Sequence, residues 1–213
     1  MPNTSAAARS ELVWDVLVRV FHWTLVAGFI VAYVSEGEPL SLHIWAGYVV
    51  GGVTLLRIVW GFIGSPHARF SDFIFPARKI ISYLVDELRF RAKRFIGHSP
   101  AGGAMVLALM LGLAATTISG ATLLAVHEGA GPFSTFIEKA DAPPSSPNSG
   151  GVAVNGKVGE SPTVELWEEI HEILANLTLL LVILHIGGVV LASYSHKENL
   201  VVAMIDGKKR PLP

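Results

Sequence analysis

The chain has 213 residues, of which 51% are hydrophobic and only 15% charged, with a formal net charge of −1. Soluble domains average about 25% charged residues, so this composition excludes a disordered chain, and the missing positive charge argues against a nucleic-acid binder. Cysteine is absent, which removes disulfide scaffolds, zinc ribbons, iron–sulfur centres and the covalent CxxCH haem site.

The apolar residues are gathered into four blocks, at about 16–34, 42–63, 101–126 and 165–194. Each holds ~19 residues or more, enough for a helix rising ~1.5 Å per residue to cross a hydrocarbon layer ~30 Å thick. A buried soluble helix accounts for one such block, not for four. No ten-residue alternation suggests a barrel. The expected fold is therefore all-α and integral to a membrane, a four-transmembrane-helix bundle in one domain over 1–213.

The first block contains Arg19 and His22, and no small-residue cleavage site follows it. It is expected to remain in the membrane and not to be removed as a signal peptide. A short acidic turn, SEGEPLS, makes the first two blocks antiparallel neighbours. Arg57 lies inside the second block and admits two readings. It snorkels to the cytoplasmic interface, or it pairs, with Arg19, to a haem propionate or a quinone carbonyl. The glycines of the second and third blocks read chiefly as sites of close helix packing.

Between the second and third blocks, Ile80, Ile81, Leu84, Val85 and Leu88 recur at helical spacing among Arg and Lys. This segment, about 77–96, reads as a basic amphipathic helix, either on the inner leaflet or against the cytoplasmic end of the bundle. The stretch from 127 to 163 is expected to be a flexible outer loop, because 142–162 is rich in Pro, Gly and Ser. It serves as a solvated spacer or as an acidic dock for a basic partner.

Most basic residues fall on one side of the blocks: Arg9 and Arg19, Arg69 to Arg94 after the second block, and Lys197 to Arg210 in the tail. Acidic residues dominate the other side, from Glu36 and Glu38 to Glu165, Glu168 and Glu169. The positive-inside rule places both termini in the cytoplasm. The expected location is a bacterial cytoplasmic (inner) membrane.

Four histidines lie in or at the edge of the blocks: His22, His43, His171 and His185. Ionisable groups inside lipid are costly and usually functional, and a neutral imidazole is an axial haem ligand. Fourteen residues separate His171 from His185; that rotates a helix by ~1400° and advances it ~21 Å. Both therefore share one face at two depths. By depth, His43 pairs with His171 on the outer side and His22 with His185 on the inner side. Two non-covalent haems b held this way would make an electron path across the membrane. His67, His98, His127 and His196 read as surface or capping residues.

Several segments, in order, resemble bacterial cytochrome b561 proteins and the b-type cytochrome subunits of nickel–iron hydrogenases. They are VWDVLVRVFHW, then LHIWAGYVVGGVTLLRIVWGFIGSPHARFSDF, then GHSPAGGAMVLALMLGL, and finally the stretch from WEEIHEILANL to the basic tail. The resemblance implies a four-helix, di-haem cytochrome that passes electrons between the quinone pool and an outer redox partner, with ligands at His22, His43, His171 and His185. With four blocks, the chain is nearer the shorter cytochrome b561 type. Its expected partners are membrane lipid, quinone, and a periplasmic c-type cytochrome or another redox protein, with a homodimer as a further assembly and nucleic acid excluded. Two other functions compete: a superoxide or small-molecule:quinone oxidoreductase, and a haem-free scaffold or metal-binding transport protein.

Overall fold

The computed structural model describes residues 10–36, 39–140 and 161–212. Most of the Pro/Gly/Ser loop lies outside the described residues, as do Arg9, Glu38, Asp141, Lys157 and Glu160.

Four long helices dominate: α1 (Val16–Val34), α2 (Leu40–Ile63), α5 (Pro100–Glu128) and α6 (Pro162–Ser195). All four are long and apolar enough to cross a membrane. Three shorter helices accompany them: α3 (Phe70–Phe73), α4 (Ala77–Leu88) and α7 (Leu200–Asp206). The ends follow local chemistry. Asp15 caps α1 by accepting from the Val18 amide at 2.8 Å, and Ser99 caps α5 by accepting from the Gly102 amide at 3.1 Å. Pro100 and Pro162 occupy first turns, where the missing N–H is harmless. Gly129, at φ 65°, ends α5. The helices therefore extend past the expected blocks. His127 and Glu128 belong to α5, and Pro162 and Thr163 to α6, not to the outer loop. With 34 residues, α6 is ~51 Å long, well over the ~30 Å hydrocarbon layer.

The long helices pack in the order α1–α2–α5–α6, and neither α1 nor α2 packs closely on α6. Small residues set some approaches. A Cβ on Gly112 would lie 2.9 Å from Thr178 Oγ1 of α6, whereas Cβ atoms on Gly47 and Gly52 would meet nothing within 4 Å. Packing thus explains the first glycine and not the other two. Large apolar side chains such as Leu55, Leu111, Ile183 and Val190 point outward, as lipid-facing positions require.

The packed core gathers at one end. Val13, Trp14, Val18, Ala68 and Ala203 form it, with Trp60, Ile96 and Met204 against them. A two-residue antiparallel pairing joins Glu11–Leu12 (β1) to Lys208–Lys209 (β2), the one departure from an all-α chain among the described residues. The segments before α1 and after α7 therefore meet at the same end of the bundle. Asp15 also ties this end together, accepting from Trp60 Nε1 at 3.1 Å and Ser65 Oγ at 2.5 Å.

The amphipathic segment differs from expectation. Its helix stops at Leu88, not near residue 96, because Phe90 turns into the left-handed region at φ 57°. It packs on α5 and α6 through buried Tyr83 and Glu87, while Ile81, Leu84, Val85 and Leu88 face outward. The helix thus packs against the bundle through Tyr83 and Glu87, while its basic residues Arg78 and Lys79 and these apolar side chains stay exposed.

Burial pushes the Asp15 carboxyl up, but hydrogen bonds from Ser65, Val18 and Trp60 outweigh it and hold it below the ordinary carboxylate range. A depressed acid stabilises the fold above its unfolded value of about 4 and loses that contribution as pH falls through the folded value. Asp15→Asn should therefore lower the thermal midpoint at pH 7 and flatten its decline on acidification below about pH 4, as read by circular dichroism.

Candidate functional site

Helix α6 carries His171, Thr178 and His185 at seven-residue steps, so all three lie within ~40° of one face. Thr178, fully buried, seats the middle of that face on α5. Its hydroxyl lies 3.0 Å from Thr116 Oγ1. The histidines above and below this contact reach toward other helices. His171 faces His43 of α2 with ring centres 6.0 Å apart and an 87° interplanar angle. His185 faces His22 of α1 at 6.4 Å and 58°. The chain thus brings together the two pairs expected from depth, at opposite ends of one helix face.

These distances suit a shared metal better than a direct contact. Two imidazoles each bonded at about 2 Å to one ion, with ring centres about 1 Å behind the ligating nitrogens, stand about 6 Å apart. The facing rings also span places where α6 does not pack closely on α1 or α2.

Hydrogen bonds fix the outer rings. His43 Nδ1 lies 2.8 Å from the Ala32 carbonyl, which can only accept, so Nδ1 carries the proton. Ser119 Oγ donates to the Thr116 carbonyl at 2.9 Å and lies 3.0 Å from His171 Nδ1. Its one proton is already used, so His171 Nδ1 is the donor there. Both outer histidines therefore hold their protons on Nδ1 and keep Nε2 free as a ligand nitrogen. A Cβ on Gly120 would lie 2.8 Å from His171 Cε1; only glycine lets this ring lie along α5. The inner pair is less constrained, since His22 Nδ1 is buried without a hydrogen-bond partner.

Arg57 does not reach solvent. It is 7% exposed, donates from Nη2 to the Ala68 carbonyl at 3.1 Å, and lies 5.9 Å from the Phe70 ring centre. Its Nη1 is buried and unpartnered, as are Thr54 Oγ1, one turn away on α2, and Arg19 Nε on α1. Arg19 donates from Nη1 to the Ile205 carbonyl at 2.5 Å. Thr54 escaped the sequence reading because a lone threonine in an apolar block usually bonds its own helix. Ser119 escaped it for the same reason. The signal available was position, since each shares a level with a histidine.

Two of the remaining histidines sit near the surface, as expected: His67 pairs with Asp72 at 3.0 Å and His127 with Glu128 at 2.9 Å. The other two do not. His196 is only 12% exposed at its side chain and lies 3.4 Å from Glu87 Oε2 and 3.3 Å from Tyr83 OH. The His98 ring sits between Trp14 and Phe73, with centroids at 4.6 and 4.5 Å and Nδ1 buried without a partner. Their polar sequence neighbours hid the folding of α4 and the N-terminal segment over them.

The family model for prokaryotic cytochrome b561 matches residues 13–207. The chain belongs to this family. It is accordingly a multi-pass membrane protein and a b-type cytochrome, an electron-transfer protein that carries haem b. It is 30% identical over 164 residues to a probable Ni/Fe-hydrogenase 1 B-type cytochrome subunit of Escherichia coli strain K12, covering 64% of this chain and 69% of that one. It is 28% identical over 148 residues to a probable Ni/Fe-hydrogenase B-type cytochrome subunit of Azotobacter chroococcum mcd 1, covering 56% of this chain and 61% of that one. No solved structure matches the chain.

In this cytochrome the packed end is acid-sensitive at His98. Desolvation, then repulsion from Arg57, Lys209 and His67, pushes its imidazole down from 6.5 to about 3. The unfolded chain takes up this proton first, so the group's stabilising contribution is complete above pH 6.5 and declines as pH falls toward 3. His98→Phe should remove that part of the acid loss while changing stability little at pH 8. Denaturant titrations at both ends of the window would check it.

Proposed function

We propose that this cytochrome holds two haems b and carries electrons across the bacterial cytoplasmic membrane, between the quinone pool and a redox protein on the far side. The observation that carries this reading is the pair of facing imidazole couples on one face of α6. His43 and His171 would hold the outer haem, and His22 and His185 the inner one. Haem b, when bound, supplies one-electron chemistry at its iron. The protein's part is to hold, orient and insulate. Two imidazoles per haem would hold the iron from both sides and so favour electron transfer over oxygen binding. The Ala32 carbonyl and Ser119 aim the outer ligands, as outer-shell partners do.

The orphaned donors fit the inner site. Arg57 Nη1, Thr54 Oγ1 and Arg19 Nε are buried hydrogen-bonding atoms without partners, and such groups destabilise a fold unless a bound group satisfies them. Haem propionates or a quinone carbonyl on the inner side would do so. The basic segments, including Lys208–Lys209 of β2, support a cytoplasmic location for both termini by the positive-inside rule. The acidic first turns of α6 then face the periplasm, where the partner docks. The names of the relatives make a nickel–iron hydrogenase one such partner.

A reduced-minus-oxidised spectrum of the purified protein should show a b-type band with two haems per chain. His171→Ala should lose the outer haem and keep most of the inner one, and His22→Ala should do the reverse. Two haems retained in both variants would disprove the pairing. Quinol should reduce the haem in stopped flow faster than superoxide does; the opposite order would favour a superoxide:quinone oxidoreductase.

Ser119→Ala gives a subtler check. Loss of the acceptor that fixes His171 should weaken haem retention at the outer site by about 10–100-fold, with the inner site unchanged. Haem-release kinetics at two wavelengths would separate the sites.

A further inference from the structure

An open crevice of about 620 Å³ lies where α4 and α6 end, lined by Phe90, Ser193, Tyr194, Ser195 and Lys197. We propose that it binds the headgroup of one anionic phospholipid, with the acyl chains running down the outer face of α6.

The backbone first marks the place. Among the described residues, Phe90 and Lys197 are the only non-glycine residues with positive φ, at 57° and 50°. Each follows a helix end, where glycine takes this conformation without penalty. Here the chain turns with a bulky ring and an ammonium instead, and both are delivered to the same crevice. Left-handed non-glycine residues persist where the surrounding structure holds them, often at ligand clamps.

The walls suit a lipid. The Phe90 and Tyr194 rings meet edge to face at 6.0 Å, yet they are 58% and 77% exposed. Val190 and Ile186, one and two turns along α6 from Tyr194, are exposed on the same side, giving a hydrocarbon track that starts at the crevice. An aromatic pair at this level is the usual marker of the membrane interface. A small free anion would gain nothing from these surfaces.

The charge selects the headgroup. The Lys197 ammonium has no ion-pair partner among the described residues, and neither do Arg89 and Arg91 beside Phe90. Nearby acids are mostly engaged elsewhere. Glu198 binds Arg94 at 2.7 Å, and Glu87 faces His196 at 3.4 Å. Asp86 is the exposed acid on α4. The C-terminal end of α6, which would repel an anion, is already quenched, because Arg210 Nη2 donates to the His196 and Lys197 carbonyls at 3.0 and 2.9 Å. The Ser193 and Ser195 hydroxyls add donors within the crevice. A singly charged phosphodiester above two acyl chains matches this combination, and basic clefts beside transmembrane helices on the cytoplasmic side bind such headgroups elsewhere.

The test is native mass spectrometry of the delipidated full-length cytochrome with dioleoyl phosphatidylglycerol, phosphatidylcholine, phosphatidylethanolamine and inorganic phosphate. One phosphatidylglycerol should be retained, with the zwitterionic lipids and phosphate at background. Lys197→Gln should lower retention about fivefold, the effect of one basic residue near an anionic surface, and Lys197→Arg should preserve it. Phe90→Gly keeps the positive-φ turn, removes the ring, and should also lower retention. Haem content and spectrum should be unchanged in all three variants, which separates this site from the haem assignment. Equal retention by the wild type and Lys197→Gln, or by the wild type and Phe90→Gly, would overturn the proposal. So would equal binding of phosphatidylcholine, or binding of phosphate alone.

Discussion

A polar group inside a hydrocarbon layer must find its partner within the protein or in a bound group. The bundle is organised around that constraint. In the membrane-spanning helices, the hydroxyls of Ser119, Thr122 and Thr117 turn back onto main-chain carbonyls, and those of Thr116 and Thr178 meet each other. The histidines are placed where α6 stands away from α1 and α2. In these helices the buried side-chain atoms left unsatisfied lie on His22, Thr54, Arg57 and Arg19. For a membrane cytochrome, unpaired buried donors there point to the prosthetic group that completes the core.

The two histidine couples are not equivalent. The outer rings are held by the Ala32 carbonyl and Ser119, with Gly120 clearing the space beside His171. Among the described residues no such hydrogen bond holds His22, whose Nδ1 is buried without a partner. Ligand basicity tunes a haem's potential, so under the proposed di-haem reading this asymmetry would set the two sites apart.

The packed end gives this arrangement its footing. The four long helices bury little of themselves against one another, because their outward faces must stay apolar for lipid. One packed cluster forms around Trp14, Ala68 and Ala203, and further buried apolar residues such as Val50, Leu113 and Ala125 lie along the helix contacts. Asp15 ties the start of α1 to Trp60 and Ser65, while Arg94 on Glu198 and Lys209 on the Phe95 carbonyl tie the segment after α4 to the segment after α6. Arg57 reaches from α2 into the same region through the Ala68 carbonyl, which links this end to the level of the inner histidines.

Much of this was legible in the linear chain. Apolar length by itself sets four helices long and apolar enough to cross a membrane, because no soluble core explains such runs. The seven-residue spacing of His171, Thr178 and His185 determines a shared face, because helical rotation is fixed by backbone geometry. Charge asymmetry carries the orientation argument in the same way. Tertiary structure decided what periodicity does not encode. It turned the apolar face of α4 outward and buried Glu87, because lipid, not the protein core, accepts that face. It folded α4 and the N-terminal segment over His196 and His98, whose sequence neighbours are polar. It also chose Ser119 and the Ala32 carbonyl as partners of the histidine rings and left the Thr54 hydroxyl buried without one. A hydroxyl or a carbonyl acquires a role only when another helix brings a ring or a guanidinium to its level, and that proximity is a property of packing.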